Sequence, residues 1–139
     1  MNNFISLVKN VLDEQDKQIK DLFINNIVPE NTFYKYTERY PSLKTAIKIT
    51  NYLKVSLDYL FEFDSENEFK VYTLNELNFN KNLNTFIEQN KISKRKFCKD
   101  LNFSRDNIIR WNKGIKPSLR TLLEIANYFN CSIDDLLLA

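Results

Sequence analysis

The sequence predicts an all-α chain of two similar five-helix domains in tandem, and three observations support this prediction. The segment PSLKTAIKITNYLKVSLDYLF (residues 41–61) recurs as PSLRTLLEIANYFNCSIDDLL (residues 117–137), with 10 of 21 positions identical. The 139 residues include one glycine and three prolines, which is too few turn formers for a many-stranded β fold. Apolar residues also recur at helical spacing in both halves of the chain.

In the second half, the first two predicted helices are marked by an apolar repeat and a capping serine. Leu83, Phe86 and Ile87 follow the i, i+3, i+4 pattern of a helix over about 76–90. Ser93 is a candidate N-cap for the second helix, because a serine hydroxyl can accept a hydrogen bond from the first turn. The apolar face of that helix carries Phe97, Cys98 and Leu101.

Three further helices follow the tight connection at 102–103. Ser104 is a candidate N-cap for the third helix, and Gly114, the only glycine, is expected to end it. Pro117 and Ser118 open the fourth helix, and Ser132 caps a short fifth one. The third helix is marked by Ile108, Ile109 and Trp111.

The first half repeats this order with an offset of 75 residues, which becomes 76 after the third helix. Pro29 takes the place of Ser104, which suits the first position of a helix. We therefore predict a first domain over 1–62, a linker over 63–75 with a possible short extended stretch at FKVYT, and a second domain over 76–139. The aligned apolar residues of the first helices are Phe4, Val8, Val11 and Leu12 against Phe79, Leu83, Phe86 and Ile87.

The composition argues against an enzyme, a metal site and a cofactor site. The chain has no histidine, and its two cysteines, Cys98 and Cys131, fall at apolar positions of the repeat, so we expect small buried hydrophobic residues there. No glycine-rich phosphate loop and no carboxylate pair in a cleft is indicated. Asp134 and Asp135 follow the Ser132 cap, where acidic residues stabilise the start of a helix.

A cytoplasmic setting is expected from the same features. The cysteine usage fits a reducing compartment, and no apolar run approaches the roughly 20 residues that span a membrane. The segment MNNFISLVKN has no basic n-region and no clear apolar core, so no signal peptide is expected.

The charge is distributed unevenly. Residues 1–68 hold 8 basic and 11 acidic side chains, whereas residues 69–139 hold 12 basic and 7 acidic ones. Within 91–120 there are 10 basic residues and 2 acidic ones. Such a local excess is typical of a nucleic-acid-binding surface, although charge alone is equally consistent with a solvated basic face.

The segment SKRKFCKDLNFSRDNIIRWNKG (residues 93–114), followed by KPSLRTLLEIANYFNCSIDDLL, carries a family resemblance. It resembles the helix-turn-helix family typified by the phage lambda and Cro repressors and the xenobiotic-response-element-type bacterial regulators. The resemblance covers residues 76–139 and implies a lambda-repressor-like fold that binds double-stranded DNA. The first domain would be a degenerate copy of the same fold.

The third helix of the second domain is the candidate reader of DNA bases. A recognition helix packs its back on the protein and presents its N-terminal turns to the major groove. Ile108 and Trp111 can form the back, although base stacking by Trp111 is an alternative. Arginine can pair with guanine, asparagine with adenine, and aspartate can accept from cytosine. The predicted base-reading residues are Arg105, Asp106, Asn107 and Arg110.

Phosphate contacts are expected on both sides of this helix. The backbone N–H groups at a helix N-terminus attract anions, and the family resemblance implies that the loop after the third helix grips the DNA backbone. The predicted phosphate-binding residues are Ser93, Lys94, Asn112, Lys113, Lys116, Ser118 and Arg120.

The first domain departs from this pattern. Glu30 and Asn31 stand where Arg105 and Asp106 stand, and an acid at that position would be repelled by phosphate. The same segment is rich in aromatic residues and poor in positive charge, which suits a protein interface, although a core role is equally open. The candidate partner or dimer interface comprises Phe33, Tyr34, Tyr36 and Tyr40.

The leading hypothesis is a sequence-specific DNA-binding transcription regulator, most simply a repressor. In one version, the second domain reads DNA and the first domain forms a homodimer. In the other version, both domains dock on DNA as a pseudo-dimer within one chain. A different class of function is a protein-interaction module derived from the helix-turn-helix fold, such as an anti-repressor, an antitoxin or an inhibitor of a host protein.

Overall fold

The computed structural model describes residues 3–138, so the outermost residues of the two predicted domains (1–2 and 139) lie outside it. The chain divides into two compact units, Met1–Leu74 and Asn75–Ala139. All regular elements in the described part are helical. The first unit contains α1 (Phe4–Glu14), α2 (Lys20–Ile24), α3 (Glu30–Phe33), α4 (Leu43–Leu53) and α5 (Leu57–Leu60), with a 3-10 turn at Tyr34–Thr37. The second unit contains α6 (Phe79–Gln89), α7 (Lys94–Leu101), α8 (Arg105–Asn112), α9 (Leu119–Phe129) and α10 (Ile133–Leu137), and a 3-10 turn at Leu74–Glu76 spans the boundary.

The core of the first unit is built around α1 and α4. Helix α1 buries Phe4, Val8 and Leu12, which lie at helical spacing on one face. It contacts both the 3-10 turn at Tyr34–Thr37 and α5. Helix α4 also has an apolar inner side, on which Ile49 and Leu53 are buried.

The core of the second unit is closed by contacts between its first and last helices, α6 and α10. The Asn78 backbone N–H donates to the Leu137 carbonyl at 2.8 Å, and the Asn82 side-chain amide donates to the Leu138 carbonyl at 2.8 Å. Helix α10 begins with a capping box in which Ser132 and Asp135 satisfy each other's backbone N–H groups. The predicted structural role of Asp135 is therefore confirmed.

The recurring segments have the same local structure in both units. Helices α4 and α9 each have 11 residues and begin at a serine, Ser42 or Ser118, whose hydroxyl accepts the N–H three residues on. Each helix ends at a left-handed residue, Lys54 or Asn130. A tyrosine contact also recurs at aligned positions. Asn25 donates to the Tyr52 hydroxyl at 3.2 Å, while the Tyr128 hydroxyl donates to Asp100 at 2.7 Å.

Much of the segment predicted as a linker over 63–75 packs on the first unit instead. The side chain of Asn51 accepts from the Tyr72 N–H at 3.0 Å and donates to the Tyr72 carbonyl at 2.9 Å. The Tyr72 side chain is buried, and its hydroxyl accepts from the Leu57 N–H at 2.8 Å. Asn67 makes a similar pair of bonds to Ser56 and Lys54. The first unit therefore extends past residue 62, and the stretch FKVYT forms no strand in this structure.

We predict that Asn51→Ala destabilises the first unit by about 1–3 kcal/mol, because the buried backbone groups of Tyr72 lose their partner. Chemical denaturation followed by circular dichroism measures the loss, and faster hydrogen exchange at the Tyr72 amide locates it. Asn127→Ala is the matched control, since Asn127 is the aligned residue of the second unit and is exposed. It should change the free energy of unfolding by less than about 0.5 kcal/mol. Equal effects of the two substitutions would contradict the assignment.

Candidate nucleic-acid interface

Helix α7 is fixed by a serine cap and by one buried face. The Ser93 hydroxyl accepts from the Lys96 N–H at 3.0 Å, as the sequence predicts. Phe97 and Cys98 are buried and Leu101 is half-buried, so the predicted apolar face is confirmed. The opposite side of the helix is solvent-exposed and basic.

The connection between α7 and α8 depends on a left-handed residue. Asn102 has φ 58°, a conformation that asparagine tolerates better than most residues. Its N–H donates to the Lys99 carbonyl at 3.2 Å, and the Phe103 N–H donates to the Cys98 carbonyl at 2.8 Å. These two bonds form the helix-ending motif that satisfies the last carbonyl groups of α7. Three residues, 102–104, thus separate α7 from α8.

The Phe103 ring joins the two helices. Its centroid lies 6.0 Å from Phe97 of α7 and 6.0 Å from Trp111 of α8, with an edge-to-face arrangement in both cases. Trp111 is buried and also packs edge-on against Phe79 of α6 at 5.2 Å. The core role of Trp111 is therefore confirmed, and base stacking by this side chain is not compatible with its position.

Helix α8 begins and ends near the predicted residues. Ser104 takes the extended N-cap conformation, although its hydroxyl makes no capping hydrogen bond. Gly114 has φ 92°, where a side chain would be strained. The Gly114 N–H donates to the Trp111 carbonyl at 3.0 Å and the Ile115 N–H to the Arg110 carbonyl at 3.1 Å. This motif ends the helix and turns the chain into the loop that carries Lys116.

The outward face of α8 includes three of the four predicted base-reading residues. Arg105, Asp106 and Arg110 are exposed, whereas Asn107 is half-buried at the margin of the face. Ile109, which the sequence assigns only to the apolar pattern of the helix, is 50% exposed. The sequence holds a signal for this, because Ile109 lies two residues before Trp111 and is therefore about 200° away from it around the helix axis.

Neither arginine of this face forms an ion pair with a carboxylate of the described residues. Among residues 3–138, the ion pairs join Lys96 to Asp100 at 3.2 Å and Arg120 to Glu124 at 3.4 Å. No carboxylate in that range pairs with Arg105 or Arg110. Their guanidinium groups are therefore available to an external acceptor.

The predicted phosphate-binding residues differ in how free their side chains are. Lys116 is half-buried, and its ammonium lies 3.5 Å from the Leu77 carbonyl. The Ser118 hydroxyl donates to the Thr121 hydroxyl at 2.9 Å and accepts the Thr121 N–H, so it is occupied as a helix cap. Arg120 is paired with Glu124. Ser93 is exposed, but its hydroxyl also serves as a helix cap. Lys94, Asn112 and Lys113 are exposed as well.

The predicted role of the cysteines as small buried hydrophobic residues holds for Cys98. Burial raises the pKa of the Cys98 thiol, and the positive charge of Arg105 opposes this only in part. The thiol is therefore neutral at physiological pH. Cys131 is half-buried.

In the first unit, the corresponding helices are shorter. Helix α2 has 5 residues against 8 in α7, and α3 has 4 residues against 8 in α8. A 3-10 turn at Tyr34–Thr37 replaces the rest of α3. Glu30 stands in the first turn of this short helix, as the alignment predicts. Helix α3 therefore ends at Phe33 after about one turn, and it has no second turn that could present further side chains outward.

The aromatic residues predicted as an interface separate into two groups. Phe33 and Tyr36 are buried in the core of the first unit, where their rings pack on each other at 6.1 Å and Tyr36 also packs on Phe4. The interface assignment is wrong for these two, because the short period of the 3-10 turn brings Tyr36 inward. Tyr34 is 52% exposed, and Tyr40 is half-buried against Phe61.

Within the part of the chain that the structure describes, no three His, Cys, Asp or Glu side chains are grouped so that they could hold a metal ion. None of the helices there has the length and apolar character needed to cross a membrane.

The pair formed by Asp100 and Tyr128 is expected to make the second unit sensitive to acid. Hydrogen bonds from the Tyr128 hydroxyl and the Lys96 ammonium lower the pKa of Asp100 below its usual 3.8. A lowered pKa in the folded state gives stability that is present above pH 3.8 and is lost as the pH falls through the folded value. Asp100→Asn should therefore flatten the decrease of stability in this acid range.

Nuclear magnetic resonance titration of the Asp100 carboxyl measures this directly, and Tyr128→Phe should move its midpoint upward. Asp106→Asn is the control, because Asp106 is exposed on the neighbouring helix and forms no ion pair among residues 3–138. A midpoint for Asp100 at or above 3.8 in the wild-type protein would refute the assignment.

Comparison with known protein families gives a match in the second unit. Residues 82–138 match the family model of the Cro/C1-type HTH DNA-binding domain. No curated protein and no solved structure matches the chain. The matched residues contain α7, the turn at Asn102 and α8 in full. This match supports assignment of the second unit to the helix-turn-helix family of DNA-binding domains.

Proposed function

We propose that this protein is a sequence-specific transcription regulator, a repressor that reads the major groove of double-stranded DNA with α8 of its second unit. The observation that carries the proposal is the outward face of α8. Arg105, Asp106 and Arg110 are exposed there, opposite the buried Trp111, and no ion pair within residues 3–138 occupies either arginine. The match to a Cro/C1-type domain supports DNA as the ligand.

The chemistry of this face suits base recognition. Each arginine can donate two hydrogen bonds to the O6 and N7 atoms of guanine, and Asp106 can accept from the cytosine amino group. Asn107 would reach a base only from the margin of the face, because it is half-buried. Arg105 and Arg110 are therefore the main readers in this proposal.

Phosphate contacts would hold α8 in the groove from both sides. The N-terminus of α7 presents backbone N–H groups beside the exposed Ser93 and Lys94. On the other side, Lys113 is exposed at the end of α8. To bind phosphate, the Lys116 ammonium would first have to leave the Leu77 carbonyl, and Arg120 would have to leave Glu124. Ser118 would bind phosphate through its backbone N–H, because its hydroxyl is hydrogen-bonded to Thr121.

The first unit is proposed to be a degenerate tandem copy that forms a homodimer. The shared caps, the left-handed ends of α4 and α9, and the aligned tyrosine contacts support a duplication. The four-residue α3 with Glu30 in its first turn is poorly suited to a groove lined by phosphates. A homodimer would place two copies of α8 about 34–36 Å apart on DNA.

Exposed residues of the first unit favour an alternative function. In this alternative the protein is a protein-interaction module, such as an anti-repressor, an antitoxin or an inhibitor of a host protein. Ile24 is 69% exposed and Tyr34 is 52% exposed, and the Tyr34 ring contacts the half-buried Phe23. Apolar and aromatic side chains of this kind are enriched at protein interfaces. Recovery of a stoichiometric protein partner together with an absence of DNA binding would support this alternative.

We predict that Arg105→Ala and Arg110→Ala each weaken binding to the cognate DNA by about 1–3 kcal/mol, because a bidentate base contact is lost. Fluorescence anisotropy at fixed salt measures the change. Glu30→Ala and Lys35→Ala, at the aligned positions of the first unit, are matched controls and should have little effect. All four residues are exposed, so none of the variants should unfold. Wild-type affinity in both arginine variants would refute the assignment of α8.

Selection of bound duplexes from a random DNA pool tests the proposed function itself. We expect enrichment of a palindromic site whose half-sites lie one helical turn apart, about 10–10.5 base pairs, as for other dimeric helix-turn-helix proteins. Its affinity should decrease with salt by about 0.9 log units per neutralised phosphate for each tenfold increase. Enrichment of no sequence at any salt concentration would contradict the proposal.

A further inference from the structure

Ile109 is an isolated apolar side chain at the centre of a polar, outward-facing surface. Arg105 lies one turn before it and Lys113 one turn after it on α8, so the three form a row along the helix. The buried Trp111 lies about 200° away around the helix axis. Half of the Ile109 surface is exposed to solvent at this position.

Packing within the second unit does not explain an isoleucine at this position. The inner side of α8 carries the buried Trp111, which packs on Phe79 and Phe103, and the half-buried Ile108. Single exposed apolar residues are common on proteins and need no ligand by themselves. This one differs because it is flanked on the helix by Arg105 and Arg110, whose charges no carboxylate among residues 3–138 neutralises through an ion pair.

The major groove offers one apolar group to such a side chain, the C5-methyl group of a pyrimidine. Thymine carries it in ordinary DNA, and 5-methylcytosine carries the same group. We propose that Ile109 packs on a pyrimidine C5-methyl group, supplied by thymine, at a base pair next to those contacted by the arginines. This inference rests on the proposed function, because it requires α8 to lie in the groove.

The contact can be tested on the DNA by removing a single methyl group. In the duplex selected by the wild-type protein, each thymine is replaced in turn by uracil, which keeps every hydrogen-bonding atom. We expect the wild-type affinity to decrease about fourfold at one thymine per half-site, the equivalent of about 0.8 kcal/mol for one buried methyl group. Ile109→Ala should bind the thymine and uracil duplexes equally at that position.

Two controls accompany the uracil series. Ile24→Ala removes an even more exposed isoleucine from the first unit and should keep the full uracil sensitivity. Duplexes with 5-methylcytosine in place of each cytosine distinguish the sources of the methyl group. We expect no gain in affinity from 5-methylcytosine, since thymine is the proposed source, and a gain that depends on Ile109 would overturn that choice.

The outcomes separate this inference from the function on which it rests. If uracil reduces the affinity of the wild-type protein and of Ile109→Ala equally at every position, the inference is overturned. The same holds if uracil changes the wild-type affinity at no thymine of the site. Either result leaves DNA reading by α8 intact. A wild-type protein that selects no sequence overturns both. Circular dichroism of Ile109→Ala checks that its helical content is that of the wild-type protein.

Discussion

The contact of Phe103 with both Phe97 and Trp111 fixes the angle between α7 and α8, and the surface that we assign to DNA depends on this angle. Asn102 in the left-handed conformation ends α7, so that the half-buried Phe103 packs against a ring of each helix. Because Phe79 and Phe103 hold Trp111 inward, the arginines of α8 lie on the solvent-exposed side of the helix. The outward face is thus a consequence of the packing behind it.

The first unit shows what happens when this arrangement changes while the rest of the fold is kept. Val28, which aligns with Phe103, is buried, but it offers no aromatic ring to join the two helices. The left-handed residue is Asn26, one position earlier than the alignment with Asn102 requires. Five residues (25–29) separate α2 from α3, whereas three (102–104) separate α7 from α8. Helix α3 then gives way to a 3-10 turn that carries Tyr36 into the core. The unit keeps its hydrophobic core without an extended reading helix.

The sequence was most informative where a single residue determines local geometry. The serine caps of α7, α9 and α10 and the glycine after α8 were predicted correctly, because a capping hydroxyl and a positive φ each demand particular residue types. The burial of the aromatic residues in the first unit is harder to predict from the sequence, since an apolar pattern does not reveal a change from an α-helix to a 3-10 turn. Phe33 and Tyr36 were therefore assigned to a surface although they are core residues.

Two further features depend on contacts that no local pattern encodes. The side chain of Asn51 binds the backbone of Tyr72, a residue 21 positions away, so the acidic and polar composition of 62–68 gave no sign that the following segment packs on the first unit. Ile109 matched the apolar pattern of α8, and only its 50% exposure identifies it as part of the outward face. Likewise, the use of the Ser93 and Ser118 hydroxyls as helix caps separates these two side chains from the freer phosphate candidates, such as Lys94 and Lys113.

Titration of the isotope-labelled full chain with its selected DNA duplex, followed by the chemical shifts of the backbone amides, tests the central claim most directly. If α8 reads DNA and the first unit does not, the largest shift changes should fall within 93–120, with small changes over 18–40. Changes over 18–40 that equal or exceed those over 93–120 would contradict the account, because the first unit would then contact DNA as well.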